Sequence, residues 1–361
     1  MTGKEELRQQ ITALDQELLT LLNRRQTLAQ AIGHIKNLQG QRTLDFQREE
    51  EVLANLLRLN PGPLSHAALK NIFREIISAS RQIQSPLSVA FLGPEATFSH
   101  LAALKKFGGS TLFGPLLSIH EVFAEVEKGN YGYGVVPIEN STEGVVNDTL
   151  DHFAETSLQI CGEIFLEVSH DLVNKSGQPH DIEVIYSHPQ AYGQCRRWLA
   201  GHLPDIPIIE VASTGVAAQK ASKNPNAAAI ASAAAASLYD LRVVDRRIED
   251  QPGNVTHFFV IGPDSPGPTG RDKTSIIFAV DNIPGALYKT LEPIAHRGIN
   301  MTRIVSRPAK NEVWRYLFFV DIDGHQEDPE VRTALAEIEA LSAHFQLLGS
   351  FPRAAGVENP S

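Results

Sequence analysis

The chain has 361 residues, 42% of them hydrophobic and 20% charged, with a formal net charge of −10. That length predicts two or three domains with buried cores, and the acidic balance argues against general nucleic-acid binding. The two cysteines, Cys161 and Cys195, exclude a disulfide framework, and no apolar run approaches the roughly 18 residues of a membrane span. The start, Met1-Thr2-Gly3-Lys4-Glu5-Glu6, lacks the basic and apolar stretches of a signal peptide, so a cytoplasmic location is expected.

From Leu7 the apolar residues recur as Leu7, Ile11, Leu14, Leu18, Leu21, Leu28, Ile32 and Ile35. Steps of three and four predict a long amphipathic helix packed on another helix. Between Leu21 and Leu28 the seam position is taken by Arg25. A guanidinium among leucines is costly unless an anion meets it. Lys36 lies about 20° round the helix from Arg25 and roughly 16 Å along it, so both side chains reach one small anion. Arg8 is about 26 Å from Arg25 and about 100° off its face. A similar ligand held by Arg8 would belong to another subunit's site.

Asp45 is placed to cap a second helix running to Leu59, and Ser65 to cap a third after Pro61-Gly62-Pro63. Glu49 shares the face of Val52, Leu53 and Leu56, with Arg48 at its edge. The stripe Leu69, Ile72, Phe73, Ile76 and Ile77 continues into Ser80 and Gln84. Singly, each polar residue reads as a helix-edge position; as a group at core-facing positions they favour a ligand site. Arg8, Arg25, Lys36, Asp45, Arg48, Glu49, Ser80 and Gln84 resemble, one by one, the site residues of the all-helical chorismate mutases. That resemblance implies a domain-swapped dimer in which one subunit's first-helix Arg completes the other's site. It assigns carboxylate binding to Arg8 and Arg25, the breaking ether oxygen to Lys36 and Gln84, and the ring hydroxyl to Glu49.

Between about 88 and 261 short apolar strands run repeatedly into small polar residues and then a helix. Val89-Ala90-Phe91-Leu92-Gly93 precedes Ser99, Gly134 to Ile138 precedes Asn140-Ser141, Val184-Ile185-Tyr186 precedes Ser187, and Ile208 to Val211 precedes Thr214. Each turn offers hydroxyls and free N–H groups at a helix N-terminus, where carboxylates bind. Each of these residues alone reads equally well as an N-cap. Gly93-Pro94-Glu95-Ala96-Thr97-Phe98-Ser99, Pro137-Ile138-Glu139-Asn140-Ser141, Tyr186-Ser187-His188-Pro189-Gln190 and Gly253-Asn254-Val255-Thr256-His257-Phe258 together resemble the prephenate dehydratase domain. The resemblance implies two α/β lobes around a cleft, Thr256 as the catalytic hydroxyl, and substrate contacts from Ser99, Asn140, Ser141, Ser187, Thr214, Thr256 and Phe258. His257 stands where the family's Thr-Arg-Phe motif has Arg. In a strand it points away from Thr256 and Phe258, so the Thr survives the change.

After the Pro/Gly-rich run 262–270 the pattern reads βαββαβ, a ferredoxin-like order. Gly285-Ala286-Leu287 and Ser306-Arg307-Pro308 resemble motifs of the phenylalanine-binding ACT domain, with Val305 in place of the motif's Glu. That resemblance places effector contacts at Gly285, Ala286, Leu287, Asn300, Ser306 and Arg307.

The expected architecture is an all-α three-helix module (1–86), a two-lobed α/β, periplasmic-binding-like module (87–262), a linker (263–273) and a ferredoxin-like α+β ACT module (274–354). The chain is identified as a member of the bifunctional chorismate mutase–prephenate dehydratase family, active on chorismate and prephenate, a homodimer or larger homo-oligomer, and inhibited by phenylalanine. No cofactor or metal is expected, since the histidines lack ligand spacing, and neither nucleic acid nor membrane is an expected partner. A non-catalytic amino-acid sensor would share the last two modules, but its dimerisation helix gains nothing from Arg25 in its seam.

Overall fold

The computed structural model describes residues 3–39, 46–308 and 316–354. Three helices open the chain: α1 (Gly3–Leu38), α2 (Phe46–Leu59) and α3 (His66–Gln84). Pro61-Gly62-Pro63 separates the last two, and the Ser65 side chain caps α3 by accepting from the Ala68 N–H. Asp45, the expected cap of α2, lies outside the described residues. Residues 107–112 belong to this compact unit, and the Phe46 and Phe107 rings meet at 6.2 Å.

The long first helix is present, but its leucine seam is not packed among the described residues. Leu7, Ile11, Leu14, Leu18, Leu21, Leu28, Ile32 and Ile35 are each 51–62% exposed. The described buried positions of α1 are Ala29 and Gly33. There the helix approaches α3 so closely that a Cβ on Gly33 would sit 2.8 Å from the Gln84 Cβ. Small residues, which the apolar periodicity passes over, make the contact between α1 and α3.

The next elements are β1 (Ser88–Leu92), α4 (Phe98–Phe107), β2 (Leu112–Leu116), α5 (Ile119–Glu127), β3 (Tyr133–Asn140), β4 (Gly144–Val145), α6 (Asn147–Phe153) and β5 (Gln159–Glu167). The chain then crosses to a second lobe with β6 (Asp171–Asn174), β7 (Val184–Ser187), α7 (Pro189–His202), β8 (Ile208–Glu210), α8 (Thr214–Lys223), β9 (Ala227–Ala231), α9 (Ala233–Leu238) and β10 (Arg242–Asp245). It returns through β11 (Val255–Gly262), which inserts antiparallel between β3 and β5. The first sheet therefore runs β2-β1-β3-β11-β5, and the second β10-β6-β9-β7-β8. The two crossing segments are tied side by side, with Val168 N–H donating to Asn254 O and Ile248 N–H to His170 O. The alanine run Ala233 to Ala236 opens α9, and Ala235 and Ala236 pack on Ala217, Ala218 and Ala221 of α8.

The C-terminal module comprises β12 (Asp272–Ala279), α10 (Ala286–His296), β13 (Met301–Pro308), β14 (Tyr316–Asp323), α11 (Pro329–Leu341) and β15 (His344–Pro352), with antiparallel order β13-β14-β12-β15. This is the ferredoxin-like arrangement the pattern predicts. Ile277, Phe319, Leu348 and Phe351 join Phe259 and Ile160 in one core, so the sheets of the first lobe and the C-terminal module share their apolar faces.

Candidate active sites

In the helical unit, Arg25 projects from α1 onto α3. Its guanidinium donates to the Ser80 hydroxyl, which itself donates to Ile76 O at 2.7 Å. Half-burial pulls the Arg25 pKa down from its usual value. The groups it meets are a hydroxyl and a carbonyl, neither of which neutralises it. Gln84 abuts Gly33, and half-buried Lys36 follows one helical turn later on α1. Glu49 on α2 is held by Arg81, whose Nε lies 3.2 Å from the carboxylate and whose NH2 donates to Phe107 O at 2.7 Å. Arg48 lies on the exposed side of α2, paired with Glu51 at 3.0 Å. Arg8 sits on α1, exposed, and the unbroken helix keeps it about 26 Å from Arg25.

Between the two lobes opens a cleft of about 880 Å³. Ser99, Asn140, Thr214, Thr256 and Phe258 line it. Among its described lining residues there is no lysine or arginine, and Glu143 is the one acidic side chain. His170 and His188 also face it; desolvation lowers both imidazole pKa values and so favours their neutral forms. In place of cations, the N-terminal ends of α4, α7 and α8 reach the cleft through Phe98 and Ser99, His188 and Gln190, and Ser213 and Thr214. Thr97, His188 and Ser213 each cap one N–H at these starts, and the remaining N–H groups and the aligned dipoles favour carboxylates. Leu92, Phe98, Val145 and Val168 supply apolar walls.

Thr256 and Phe258 share the cleft face of β11, while His257 points the other way, as the strand period requires. There His257 Nε2 lies 3.0 Å from Glu163 Oε2 on β5, and Lys273 Nζ of β12 lies 2.9 Å from the same oxygen. Burial works to raise the Glu163 pKa, but the His257 hydrogen bond and the Lys273 charge outweigh it and hold the carboxyl at about 2. The residue that departs from the motif therefore faces a buried ion cluster at the C-terminal module and lies outside the cleft's described lining.

A smaller pocket of about 220 Å³ opens in the C-terminal module, lined by Gly285, Ala286 and Leu287 together with Asp281, Tyr288 and Phe318. Gly285 has φ 80°, a left-handed conformation that glycine adopts without strain.

Family models match in the order of these modules: chorismate mutase type II over residues 7–85, prephenate dehydratase over 89–266 and the ACT domain over 274–340. A bifunctional chorismate mutase/prephenate dehydratase of Aquifex aeolicus is 45% identical, covering 98% of this chain and 99% of its own. A protein of the same description from Pseudomonas aeruginosa is 43% identical over 96% of this chain and 97% of its own. The chain belongs to the bifunctional chorismate mutase/prephenate dehydratase family. Among solved structures, a prephenate dehydratase from Arthrobacter aurescens in complex with L-Phe aligns with a TM-score of 0.69 and 34% identity, covering 74% of this chain and 90% of that one.

Several expected contacts are not where the motifs suggest. Ser141 and Ser187 are absent from the dehydratase cleft's described lining. The Ser141 hydroxyl accepts from Val255 N–H and donates towards Asn254, while Ser187 is fully buried and donates to His188 O. In the ACT module, Asn300, Ser306 and Arg307 stand apart from the lining of the small pocket. Asn300 donates to Asp323 at 3.0 Å, Ser306 is exposed opposite Phe318, and Arg307 pairs with Asp151 of α6 at 2.6 Å. Val305, standing for the motif's Glu, packs against the core shared with the first lobe. Sequence reading missed Arg81, Gly33, His170, Gln194 and Asn254. Arg81 and Gly33 break the amphipathic pattern of their helices, which was the one available signal.

Proposed function

We propose that this chain rearranges chorismate to prephenate in its helical module and converts prephenate to phenylpyruvate, CO2 and water in its two-lobed module, under feedback inhibition by phenylalanine. The observation that carries the reading is the near full-length identity to bifunctional relatives with all three modules in the same order.

For the rearrangement, Arg25 binds a substrate carboxylate, with Ser80 fixing its guanidinium. Lys36 and Gln84 hydrogen-bond the breaking ether oxygen. Glu49, steadied by Arg81, takes the ring hydroxyl. No covalent intermediate forms, so catalysis consists of holding a compact conformer and meeting the charge that develops in the transition state. Arg8 and the exposed leucine seam of α1 are read together: a second copy covers the seam, and its Arg8 completes this chain's site. The eight seam residues, all more than half exposed, support that dimer.

For the dehydration, the ring carboxylate leaves as CO2, and the electron pair of the broken bond aromatises the ring and expels the ring hydroxyl. Hydroxide is a poor leaving group, so it departs as water with a hydrogen-bond donor at its oxygen. Thr256 is that donor. Phe258 packs beneath the ring, Ser99, Asn140 and Thr214 contact substrate, and helix N-termini hold the two carboxylates. In the ACT module, Gly285 and Leu287 present their N–H groups to the effector's carboxylate, while the Ala286 N–H is taken by Ile283 O at 3.2 Å.

The test is to supply chorismate to the whole chain and follow prephenate and phenylpyruvate with and without phenylalanine. Sequential appearance of both, with the second suppressed by phenylalanine, is expected. Prephenate accumulating without phenylpyruvate would remove the second activity.

A further inference from the structure

Thr256 works as a donor only if its proton is left available, and the structure contains a device that does this. Asn140 Oδ1 accepts two backbone N–H groups, from Thr142 at 2.9 Å and Glu143 at 3.1 Å. Its amide nitrogen must therefore face the other way. There it donates to Thr256 Oγ1 at 2.7 Å and to Asn254 Oδ1 at 2.8 Å. With its oxygen occupied, Asn254 turns its own NH2 to Gln194 Oε1 at 2.9 Å. Gln194 Oε1 is also 3.2 Å from His170 Nε2. An oxygen that already accepts from Asn254 cannot donate, so His170 must carry its proton on Nε2. Every direction in this chain of amides follows from the two backbone donors at Asn140.

Two further facts fit the same device. His170 Nδ1 is then a bare lone pair, and it is buried without a partner. Leaving a buried acceptor unpaired is destabilising, and such an orphan is retained where it serves something else. The relay also starts where the chain crosses between lobes, with His170 and Asn254 on the two crossing segments and Gln194 on α7 of the second lobe.

Resting on the dehydratase reading above, we propose that Gln194, anchored by His170 and acting through Asn254 and Asn140, is a positioning residue for Thr256. The relay fills the lone pair of the Thr256 hydroxyl with an amide N–H and thereby aims its proton at the departing ring hydroxyl. The second lobe thus helps set the donor carried by the first.

The test uses the full chain supplied with prephenate. Gln194→Leu removes both acceptor contacts and is expected to lower kcat by about 30- to 100-fold with little change in KM, as a displaced donor does. Gln194→Glu retains an acceptor oxygen for both Asn254 and His170 and is expected to hold kcat within about threefold of the parent, with any repulsion of the dianionic substrate appearing in KM. A parent-like kcat for Gln194→Leu, or a Gln194→Glu variant as slow as Gln194→Leu, would overturn the relay. Independently, 15N spectra of histidine-labelled protein, with His170 assigned by its loss in His170→Gln, should show the Nε2-protonated tautomer. The Nδ1-protonated form would also overturn the proposal. A parent chain inert towards prephenate would overturn the dehydratase reading instead, and the tautomer would still decide the relay.

Discussion

In the proposed mechanism Arg25 in the helical module and Thr256 in the cleft serve substrates that each carry two carboxylates, yet their surroundings share little. The mutase residues include fixed cations, Arg25 and Lys36, on a helix whose apolar seam faces solvent. The dehydratase cleft has no lysine or arginine among its described lining residues, and three helix N-termini reach it. Its donor, the amides around it and its apolar walls all come from one chain. On the proposed reading, the same ligand charge is met by side chains that draw on a second subunit in one site and by backbone dipoles in the other. Net charge is blind to both arrangements, which is why an acidic chain of −10 can hold two dianion sites.

The sharpest way to break this comparison is at its two centres. Arg25→Ala is expected to lower the mutase rate by about 10³-fold, as losing a charge-stabilising donor does. The same protein should dehydrate supplied prephenate normally, and a matching loss of both activities in parallel assays would end the separate-site account. Thr256→Val keeps the shape and removes the hydroxyl; dehydration should fall by about 10²-fold while the mutase is untouched. An undiminished dehydration rate would take Thr256 out of the mechanism.

Smaller effects sharpen the picture. Gly33→Ala places a methyl 2.8 Å from the Gln84 Cβ. Overpacking of this kind costs about 1–3 kcal/mol and should slow the mutase by about tenfold through Gln84. An equal change in dehydration would contradict a local role. Glu163 offers a pH probe of the junction between dehydratase and ACT modules. Its carboxyl is held at about 2 against the usual 4.5, so the stabilisation it gives is complete above 4.5 and is lost as pH falls towards 2. Melting temperature should decline across that window, and Glu163→Gln should flatten the decline; an unchanged profile would deny the cluster this role.

Much of the fold was legible because it is written locally. The helical period of α1, the Ser65 cap and the Pro-Gly-Pro break all depend on residues a few positions apart. The alternation that turns Thr256 to the cleft and His257 to Glu163 is equally local. What was not legible is pairing across the chain. Arg81 meets Glu49, Arg307 meets Asp151, and Gln194 meets Asn254, each contact joining separate elements or modules. Ser187 shows the limit of motif reading: it sits in the motif, yet its hydroxyl is spent on the neighbouring carbonyl. The leucine seam of α1, expected to pack on another helix, is exposed in the described chain.

The proposed mutase site is shared between two chains, whereas the proposed dehydratase site is contained in one. Mixing an Arg8→Ala protein with an Arg25→Ala protein, each inactive as a mutase, tests the sharing. If Arg8 crosses to the partner, random exchange makes half the dimers mixed with one intact site of two, and about a quarter of wild-type mutase activity returns. Dehydratase activity should be the same before and after mixing. No recovery of the mutase, with subunit exchange demonstrated by mass, would contradict the shared site.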